Sequence, residues 1–581
     1  MKQFSFAVLG IAALLLSSCA EQAPKTPTVA EKAEVINAAF ETPKPYAARV
    51  LDTLDIAQFL TGNPEFTGDS ASIHDFYKSR GNQYAWFVND TLSSAAGNMM
   101  NLLDPTDSTS ADPWRKLVAE LRTGMDSVPL PDSLRLKVEL GLTAQFFHLA
   151  EKEYGGHVQG DLRELDWYIP RRKKNYTMLL DSLVAGRTDL SPIEPVHPQY
   201  RLLKEQLKRY YALQEKFGHD SIPLGKEKVA FGDSLPALRA VRGRLALLGD
   251  LAASDSSAVL DSTLFKGIQH YQERMGFSTT GLPGKATMAA LNTPLKDRIQ
   301  TLLVNMERLR WVNPTPPKDY LLANIPEYRL HVFEDGKEAW SMNVVVGATA
   351  THTVIFSGEL SMIAFAPTWT VPVSIIRGEI GPAMRKNSSY LARHNMDLVR
   401  GGQVVPTSSV NWATWQGGGG YAVRQRPGKS NSLGLVKFLF PNEYSIYFHD
   451  TPSKSKFLAD KRAFSHGCIR LSEPKKLADY LLRNDTTWTP EAIGKAMNAT
   501  KEKVINLKPS IPVTIGYFTA WVDTDGRLNF RDDVYGHDAR LARELFAPET
   551  VPAPETPASL DSLRVAPIAD TRDTRAPAIG T

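Results

Sequence analysis

The feature that most constrains the fold is a change of hydrophobic period at Tyr320. Before it, between about residues 50 and 220, apolar residues recur at helical spacing, as in the series Leu134, Val138, Leu142, Phe146 and Leu149. After it, apolar and polar residues alternate through short runs, and Asp335-Gly336 is a strong hairpin-turn signal. Helices first and short strands afterwards predict a multi-domain α+β protein.

Length and charge narrow the class of protein further. A chain of 581 residues is long for a single core, so several folded units are expected. With 43% hydrophobic residues, 22% charged residues and a net charge of +4, the composition is that of a soluble protein and indicates no nucleic-acid binding. The run Gly417–Gly420 lacks the strand-loop-helix context of a phosphate loop, so we predict a mobile cover there and no cofactor.

The N-terminus is predicted to be a targeting segment. Lys2 precedes an apolar run, Phe4–Leu16, that is too short to span a bilayer. The run ends Leu16-Ser17-Ser18-Cys19-Ala20, which resembles a bacterial lipobox and implies lipidation of Cys19 after removal of a signal peptide over residues 1–19. A plain secretory signal cut near Ala20 is the alternative. Lipidation implies a lipoprotein in the cell envelope, anchored to a membrane on its periplasmic side.

Composition and pattern divide the remaining chain into segments. Residues 20–45 and 547–581 are rich in Pro, Ala and Thr and predict a flexible tether and a disordered tail. Residues 46–225 predict a helical scaffold domain, and 318–540 a β-rich domain that is interrupted at about 376–430 by an inserted cap.

Residues 235–295 predict a compact unit of three short helices. Its strings Gly267-Ile268-Gln269-His270-Tyr271-Gln272 and Gly281-Leu282-Pro283-Gly284-Lys285-Ala286-Thr287 resemble the peptidoglycan-binding module of many cell-wall enzymes. A helical spacer is the alternative for this unit.

The chain has two cysteines, and the second lies in the sequence Ser465-His466-Gly467-Cys468-Ile469-Arg470. If Cys19 is lipidated, Cys468 is the one remaining thiol, and it is an idle buried side chain, a metal ligand or a nucleophile. A thiol attacks a carbonyl carbon usefully as its thiolate, so it needs a nearby base or a positive field. His449 is a candidate base, because it ends a predicted strand, Tyr444–Phe448, and a proline turn follows it.

His449 together with the Ser465–Arg470 sequence resembles the signature of the L,D-transpeptidase (YkuD-type) catalytic domain. The stretches Phe365–Pro372 and Gly434–Asn442 agree with the same family. The order of helical scaffold, peptidoglycan-binding-like unit and catalytic domain with an inserted cap resembles the large, multi-domain branch of that family.

The resemblance implies that Cys468 is the nucleophile and His449 its general base. A backbone carbonyl near the histidine often orients the ring in this family, and here it would belong to Asp450. Backbone N–H groups around Gly467 and Cys468 would form the oxyanion hole, since an absent side chain lets the backbone approach substrate closely. Ser465 would support this loop.

The roles of four further residues of the predicted site are less sharply defined. Arg470 would hold a substrate carboxylate or brace the loop, and His466 would be structural rather than a second base. Tyr447 and Trp369 are candidates to line the substrate pocket, although core packing is the default for Tyr447.

The implied reaction is acyl transfer from peptidoglycan stem tetrapeptides through a cysteinyl thioester, which forms 3→3 cross-links during peptidoglycan biosynthesis. Carbapenems would acylate Cys468, and the partners would be stem peptides, glycan and, through Cys19, a membrane.

Rival interpretations of the same residues exist. A metal site at Cys468, His466 and His449 is one, but no paired Cys-x-x-Cys or His-Glu-x-x-His motif accompanies these residues. A second is a wall-binding lipoprotein that is non-catalytic or acts as a carboxypeptidase, and a third is an enzyme that attaches lipoproteins to the wall.

Overall fold

The computed structural model describes residues 49–88, 91–103, 131–158, 160–171, 174–187, 193–214, 216, 221–224, 228–252 and 256–546. Four predictions lie outside the described residues: the signal peptide, the lipidation of Cys19, the flexible tether and the disordered tail. The chain divides into two compact units, one formed by residues 1–155 and 173–195 and the other by 156–172 and 196–581.

The first unit is mainly helical, as the helical spacing predicts. Its helices are α1 Thr53–Gly62, α2 Ser70–Ser79, α3 Ser94–Leu103, α4 Asp132–Ala150 and α5 Thr177–Val184, with a 3₁₀ turn at Pro64–Asp69, a π turn at Glu151–Gly155 and a small hairpin of β1 Phe87–Val88 and β2 Thr91–Leu92.

A buried carboxylate organises the core of this first unit. Glu139, on the central helix α4, accepts hydrogen bonds from the N–H groups of Ala85 (2.5 Å) and Trp86 (3.0 Å) and from the hydroxyl of Tyr77 (2.9 Å). Burial raises the pKa of Glu139 to about 7. Because buried polar groups need hydrogen-bond partners, these bonds fix how the loop before β1 meets α4.

The second unit contains both a helical part and the β-rich part. Its helices before the strands are α6 Pro198–Gln214, α7 Pro236–Leu248, α8 Ser262–Met275, α9 Lys285–Leu291 and α10 Leu295–Trp311, with a 3₁₀ turn at Leu162–Leu165.

The helices α7, α8 and α9 fall within the predicted three-helix unit. Asp261 caps α8 by accepting the N–H of Leu264 at 2.9 Å, and Gly249 and Gly276 end α7 and α8 in the left-handed conformation that glycine adopts without strain. Binding of the cell wall by these helices stays a prediction.

The predicted scaffold of 46–225 is divided between the two units. The reason is packing, because Leu162 and Trp167 belong to the core of the large sheet and Tyr168 donates its N–H to the Ile355 carbonyl at 3.0 Å. Residues 156–172 therefore belong with the β-rich part, which helical spacing in the sequence does not indicate.

A nine-stranded sheet forms the centre of the second unit, with strand order β13-β5-β14-β12-β11-β6-β15-β3-β4. A further pairing of β4 with β5 closes the sheet on itself. The strands are β3 Tyr320–Asn324, β4 Arg329–Glu334, β5 Lys337–Gly347, β6 Phe356–Phe365, β11 Val436–Leu439, β12 Phe448–His449, β13 Ala463–Ser465, β14 Ile469–Leu471 and β15 Lys503–Gly516.

Further short elements complete this unit. A hairpin of β16 Ala520–Val522 and β17 Leu528–Phe530 forms a separate two-stranded sheet. The helices are α14 Pro474–Leu481, α15 Pro490–Met497 and α16 His537–Leu545, with a 3₁₀ turn at Lys454–Leu458.

The insert is a folded subdomain with its own four-stranded sheet in the order β7-β10-β8-β9. It begins at β7, before the predicted start at 376, and encloses a core that includes Ile376, Leu398 and Val423. Its elements are β7 Trp369–Thr370, α11 Val373–Ile375, a π turn Ile376–Ile380, α12 Gly381–Lys386, α13 Tyr390–Arg393, β8 Met396–Arg400, β9 Gln403–Val405, a 3₁₀ turn Thr407–Ser409 and β10 Tyr421–Gln425.

The extent predicted for one strand was wrong. The prediction placed a strand over Tyr444–Phe448, whereas β12 contains Phe448 and His449 alone. The side-chain oxygen of Asn442 accepts the N–H groups of Tyr444 (3.0 Å) and Ile446 (3.2 Å), and this local turn competes with strand pairing. Within the described part of the chain, no helix has the length and apolar character needed to cross a membrane.

Candidate active site

Cys468 lies in the tight connection between β13 and β14. Gly467 before it has φ +114°, a left-handed backbone conformation that favours glycine. The Ser465 hydroxyl donates to the Cys468 carbonyl at 2.6 Å and accepts the Gly467 N–H at 3.1 Å. Ser465 therefore supports the loop from inside, whereas the Gly467 N–H that we expected in an oxyanion hole is already bonded.

Two threonines from a distant part of the chain hold the same loop. Thr353 donates its hydroxyl to the Gly467 carbonyl at 2.7 Å, and Thr351 donates to the Ser465 carbonyl at 2.9 Å. The buried Thr353 hydroxyl also accepts the Gly347 N–H at 2.8 Å. The sequence analysis missed both threonines, because they lie more than a hundred residues before the cysteine and carry no motif of their own.

The strand register brings the predicted catalytic residues to one face of the sheet. β12 pairs in parallel with β14, with Phe448 opposite Ile469 and His449 opposite Arg470. Side chains alternate along a strand, so Tyr447, His449, Cys468 and Arg470 share one face, and the fully buried Phe448 and Ile469 take the other. The Ile469 N–H donates to the Tyr447 carbonyl at 3.2 Å, which extends this register to the cysteine.

The His449 ring is buried and held from the backbone. Its Nδ1 lies 2.5 Å from the carbonyl oxygen of Asp450. Burial lowers the pKa of His449 to about 4, and the positive charge of Arg470 acts in the same direction. The imidazole is therefore neutral at neutral pH and can accept a proton.

The Cys468 thiol is a resting, protonated group. Burial raises its pKa, against the opposing effects of Tyr447 and Arg470. In the described structure, Sγ donates to the Ser445 carbonyl at 3.5 Å and makes no hydrogen bond to His449. The pair of thiol and imidazole is thus neutral before substrate arrives.

Tyr447 lies close to both predicted catalytic residues. Its ring centroid is 5.8 Å from that of His449, and burial together with the neighbouring Cys468 sulfur raises its pKa. Tyr447 therefore remains a neutral phenol, whose hydroxyl can donate a hydrogen bond to the sulfur.

The carboxylate of Asp450 forms hydrogen bonds that are separate from the contact between its carbonyl and His449. Its carboxylate accepts the N–H of Leu435 (2.8 Å) and of Thr451 (2.7 Å) and pairs with Lys454 at 2.7 Å. This buried carboxylate ties the segment after β12 to the start of β11, while the Asp450 carbonyl faces the histidine.

Arg470 and His466 differ in burial and in the partners of their side chains. In the described structure, the side chain of the half-buried Arg470 makes no ion pair or hydrogen bond, and its Nε is buried without a partner. The guanidinium beside the thiol therefore has no carboxylate partner within the described residues and is able to bind one. His466 is exposed, and its Nε2 lies 3.3 Å from Glu379 in the π turn of the insert.

Three tryptophans belong to the insert. Trp369, a candidate pocket residue, lies in β7 and packs on the core of the insert. Trp412 and Trp415 pack edge to face at 5.1 Å, and their indole N–H groups donate to the carbonyls of Thr407 and Gly418. Packing accounts for these contacts.

A metal site at Cys468, His466 and His449 would require their side chains to converge on one point. Among the residues that the structure describes, no three His, Cys, Asp or Glu side chains come together in an arrangement that could hold a metal ion. His466 pairs with Glu379 and His449 with the Asp450 carbonyl, so the two histidines of that hypothesis have separate partners.

Two family profiles and a curated protein match parts of this chain. Residues 318–504 match the family profile described as the L,D-transpeptidase catalytic domain, YkuD, and residues 71–207 match one described as a scaffold domain. A curated protein of Haemophilus influenzae, named "Putative L,D-transpeptidase", is 31% identical over 243 residues. The alignment covers 42% of this chain and 49% of that protein, so the chain spans about half the length of this relative.

Solved structures give more distant matches. An L,D-transpeptidase from Stackebrandtia nassauensis is 12% identical with a TM-score of 0.21, covering 50% of this chain and 97% of that one. One from Xylanimonas cellulosilytica, residues 123–326, is 15% identical with a TM-score of 0.16, covering 51% of this chain and 100% of that one.

Proposed function

Because residues 318–504 match the L,D-transpeptidase catalytic domain, we propose that this chain is an L,D-transpeptidase that joins peptidoglycan stem peptides through a thioester on Cys468. The observation that carries the proposal is the common face of Cys468 and His449 inside that matched domain. The 3→3 linkage follows from the resemblance in the sequence and is part of the proposal.

In the first step, the Cys468 sulfur attacks the carbonyl carbon of the third residue of a stem tetrapeptide. Its proton passes to Nε2 of His449, the ring nitrogen that Asp450 does not engage. Since the resting thiol and imidazole are both neutral, proton transfer accompanies attack rather than preceding it. A new C–S bond forms, and the C–N bond to the terminal D-alanine breaks as that amine takes the proton from His449.

In the second step, an amine of a neighbouring stem attacks the thioester. His449 accepts the proton of this amine, a new C–N bond forms, and the Cys468 sulfur leaves and recovers its proton. The two stems are then joined, and the enzyme returns to its initial state.

Three groups support the charge that develops in these steps. The Tyr447 hydroxyl and the Arg470 guanidinium both favour the thiolate. The Cys468 N–H donates to no protein group in the described structure, so it is available to the oxyanion. Arg470 would hold a carboxylate of the donor stem.

The insert would cover the site and exclude water, which favours attack by an amine over hydrolysis. The Glu379–His466 contact supports this role, because it joins the insert to the residue two positions before Cys468. We further propose that the enzyme works on the periplasmic side of the cell envelope, tethered by a lipid on Cys19.

The decisive experiment compares the products of the purified protein and its Cys468→Ala variant on disaccharide-tetrapeptide, identified by mass. We expect 3→3 dimers from the parent and none from Cys468→Ala. Cys19→Ser, which removes the other cysteine, is the matched control and should keep the activity in detergent. Dimers from Cys468→Ala would refute the thioester, and tripeptide alone from the parent would indicate a carboxypeptidase.

A further inference from the structure

A cavity of about 470 Å³ lies in the second unit and is lined by neither Cys468 nor His449. Its walls are the end of α8 with the following turn, the β4–β5 hairpin, residues 460–462 and the β16–β17 hairpin. Its volume falls within the roughly 300–1,000 Å³ of small-molecule sites. The proposed function assigns nothing to it.

The β4–β5 hairpin presents polar side chains to this cavity. Arg329 and His331 alternate with Leu330 and Val332, which are fully buried in the core of the large sheet. Arg329 donates to the Ser341 hydroxyl on the neighbouring strand at 2.5 Å. The sheet therefore has an apolar face toward the core and a cationic face toward the cavity.

Two more arginines converge on the same space. Arg462 donates to backbone carbonyls, among them that of Tyr328 at 3.1 Å, and Arg531 donates to the Arg274 carbonyl at 2.9 Å. In the described structure, Arg329, Arg462 and Arg531 form no ion pair with a carboxylate. Burial lowers the pKa of Arg462 and of Arg531, and the nearby Arg329 charge acts in the same direction on both, whereas Glu327 opposes the shift of Arg531.

The two carboxylates on the inner wall of the cavity, Glu327 and Glu338, both pair with one histidine. His331 lies 2.8 Å from Glu327 and 3.0 Å from Glu338, and these two carboxylates raise its pKa to about 9 against the effect of burial. His331 is therefore protonated at neutral pH. Four cations then face two carboxylates on the inner wall, which leaves an excess of positive charge.

The exposed rim of the cavity carries more negative than positive charge. Its carboxylates are all paired: Glu273, Asp523 and Asp525 with Arg527, Asp532 with Lys461, and Asp460 with the hydroxyl of Ser278. Five carboxylates and two cations make this rim acidic, and an acidic rim opposes the approach of a polyanion more strongly than that of a small ligand with one negative group.

We propose that this cavity binds a small ligand through a single carboxylate or phosphate group, held by Arg329, Arg462 and Arg531. Arginine suits this role because its planar fork donates two parallel hydrogen bonds to an oxyanion. Arg329 is the most available of the three, since its one hydrogen bond is to Ser341. The proposal depends on this cavity and not on the transpeptidase chemistry.

Calorimetric titration of the full chain tests the site. A Cys468→Ala background prevents turnover, and two probes separate the sources of the oxyanion: inorganic phosphate and the peptidoglycan stem tetrapeptide. Arg329→Gln should weaken binding of at least one probe about tenfold, because it removes the least occupied guanidinium. Arg329→Lys keeps the positive charge but lacks the planar guanidinium, so it should recover part of the lost affinity.

Arg483→Gln is the charge-matched control, since Arg483 pairs with Glu334 on the surface outside the cavity. It should leave both affinities unchanged. Weakened tetrapeptide binding would identify a stem carboxylate as the ligand, and weakened phosphate binding alone would identify a phosphate group. The proposal would be overturned if Arg329→Gln and Arg483→Gln bound both probes with equal affinity and had unchanged thermal unfolding. It would also be overturned if neither phosphate nor the tetrapeptide bound to the parent.

Discussion

Nδ1 of His449 lies 2.5 Å from the carbonyl oxygen of Asp450, the next residue in the chain. A carbonyl can only accept, so Nδ1 carries the hydrogen and Nε2 carries the lone pair. The backbone thus sets the tautomer that a general base for Cys468 requires.

We expect His449→Gln to reduce the rate of acylation of Cys468 by a carbapenem by about a hundredfold or more, since general-base catalysis contributes about 10²–10⁴-fold. Mass spectrometry of the acyl-enzyme over time measures this rate. His466→Gln is the control, because the exposed His466 pairs with Glu379 and should affect the rate far less. Similar losses in both variants would contradict the assignment of His449 as the base.

The buried His449 also predicts how stability depends on pH. Its pKa is about 4 in the folded protein and 6.5 ordinarily, so between these values the unfolded chain binds a proton that the folded protein does not. Stability should therefore fall as pH decreases from 6.5 toward 4, by about 1.5 kcal/mol between pH 6.5 and 5 for this group. Thermal unfolding of the parent and His449→Gln measures the difference, and equal slopes would refute it.

Asp450 allows its backbone and side-chain roles to be separated. Asp450→Asn leaves the carbonyl that holds His449 in place, but weakens the bonds to Leu435, Thr451 and Lys454. We expect a loss of stability of about 1–3 kcal/mol with the acylation rate largely retained. Denaturant unfolding and carbapenem acylation measure the two effects, and Lys454→Met, which removes the half-exposed partner, should destabilise less. A stable variant without activity would assign the carboxylate to catalysis.

Gly467→Ala should impair the catalytic loop. The alanine must adopt φ +114°, and its Cβ would lie 3.4 Å from the His352 carbonyl. We expect a cost of about 1–3 kcal/mol and slower acylation, because the strain acts on the residue before the nucleophile. Gly418→Ala, at φ +90° in open space within the insert, is the control for backbone strain. Unchanged acylation by Gly467→Ala would show that the loop tolerates a side chain.

His331 predicts a pH effect of the opposite sign. Its pKa is raised to about 9 by Glu327 and Glu338, above the ordinary 6.5. This stabilisation is fully present below pH 6.5 and is lost as pH rises through 9. The thermal midpoint of the parent should fall over that interval, and that of His331→Gln should fall less. Parallel curves would contradict the ion pair.

Local pattern was sufficient for much of the fold. Helical spacing predicted α4, and Asp335-Gly336 predicted the turn between β4 and β5, because both depend on contacts between residues close in sequence. The strand predicted over Tyr444–Phe448 was too long because Asn442 forms a competing turn. The sheet inside the insert went unrecognised, since its strands are short and β10 pairs with β7 and β8 from a distant part of the sequence.

The sequence by itself determined the chemistry available to this protein: one thiol besides Cys19, a histidine with a carbonyl beside it, and a glycine where the backbone must turn to positive φ. Tertiary structure alone decided how these groups meet. The parallel register of β12 and β14 gives Cys468, His449, Tyr447 and Arg470 a common face, and two distant threonines hold the loop. The charged cavity also depends on segments remote from each other. Such placements arise from pairing and burial across long separations, which no local pattern of residues encodes.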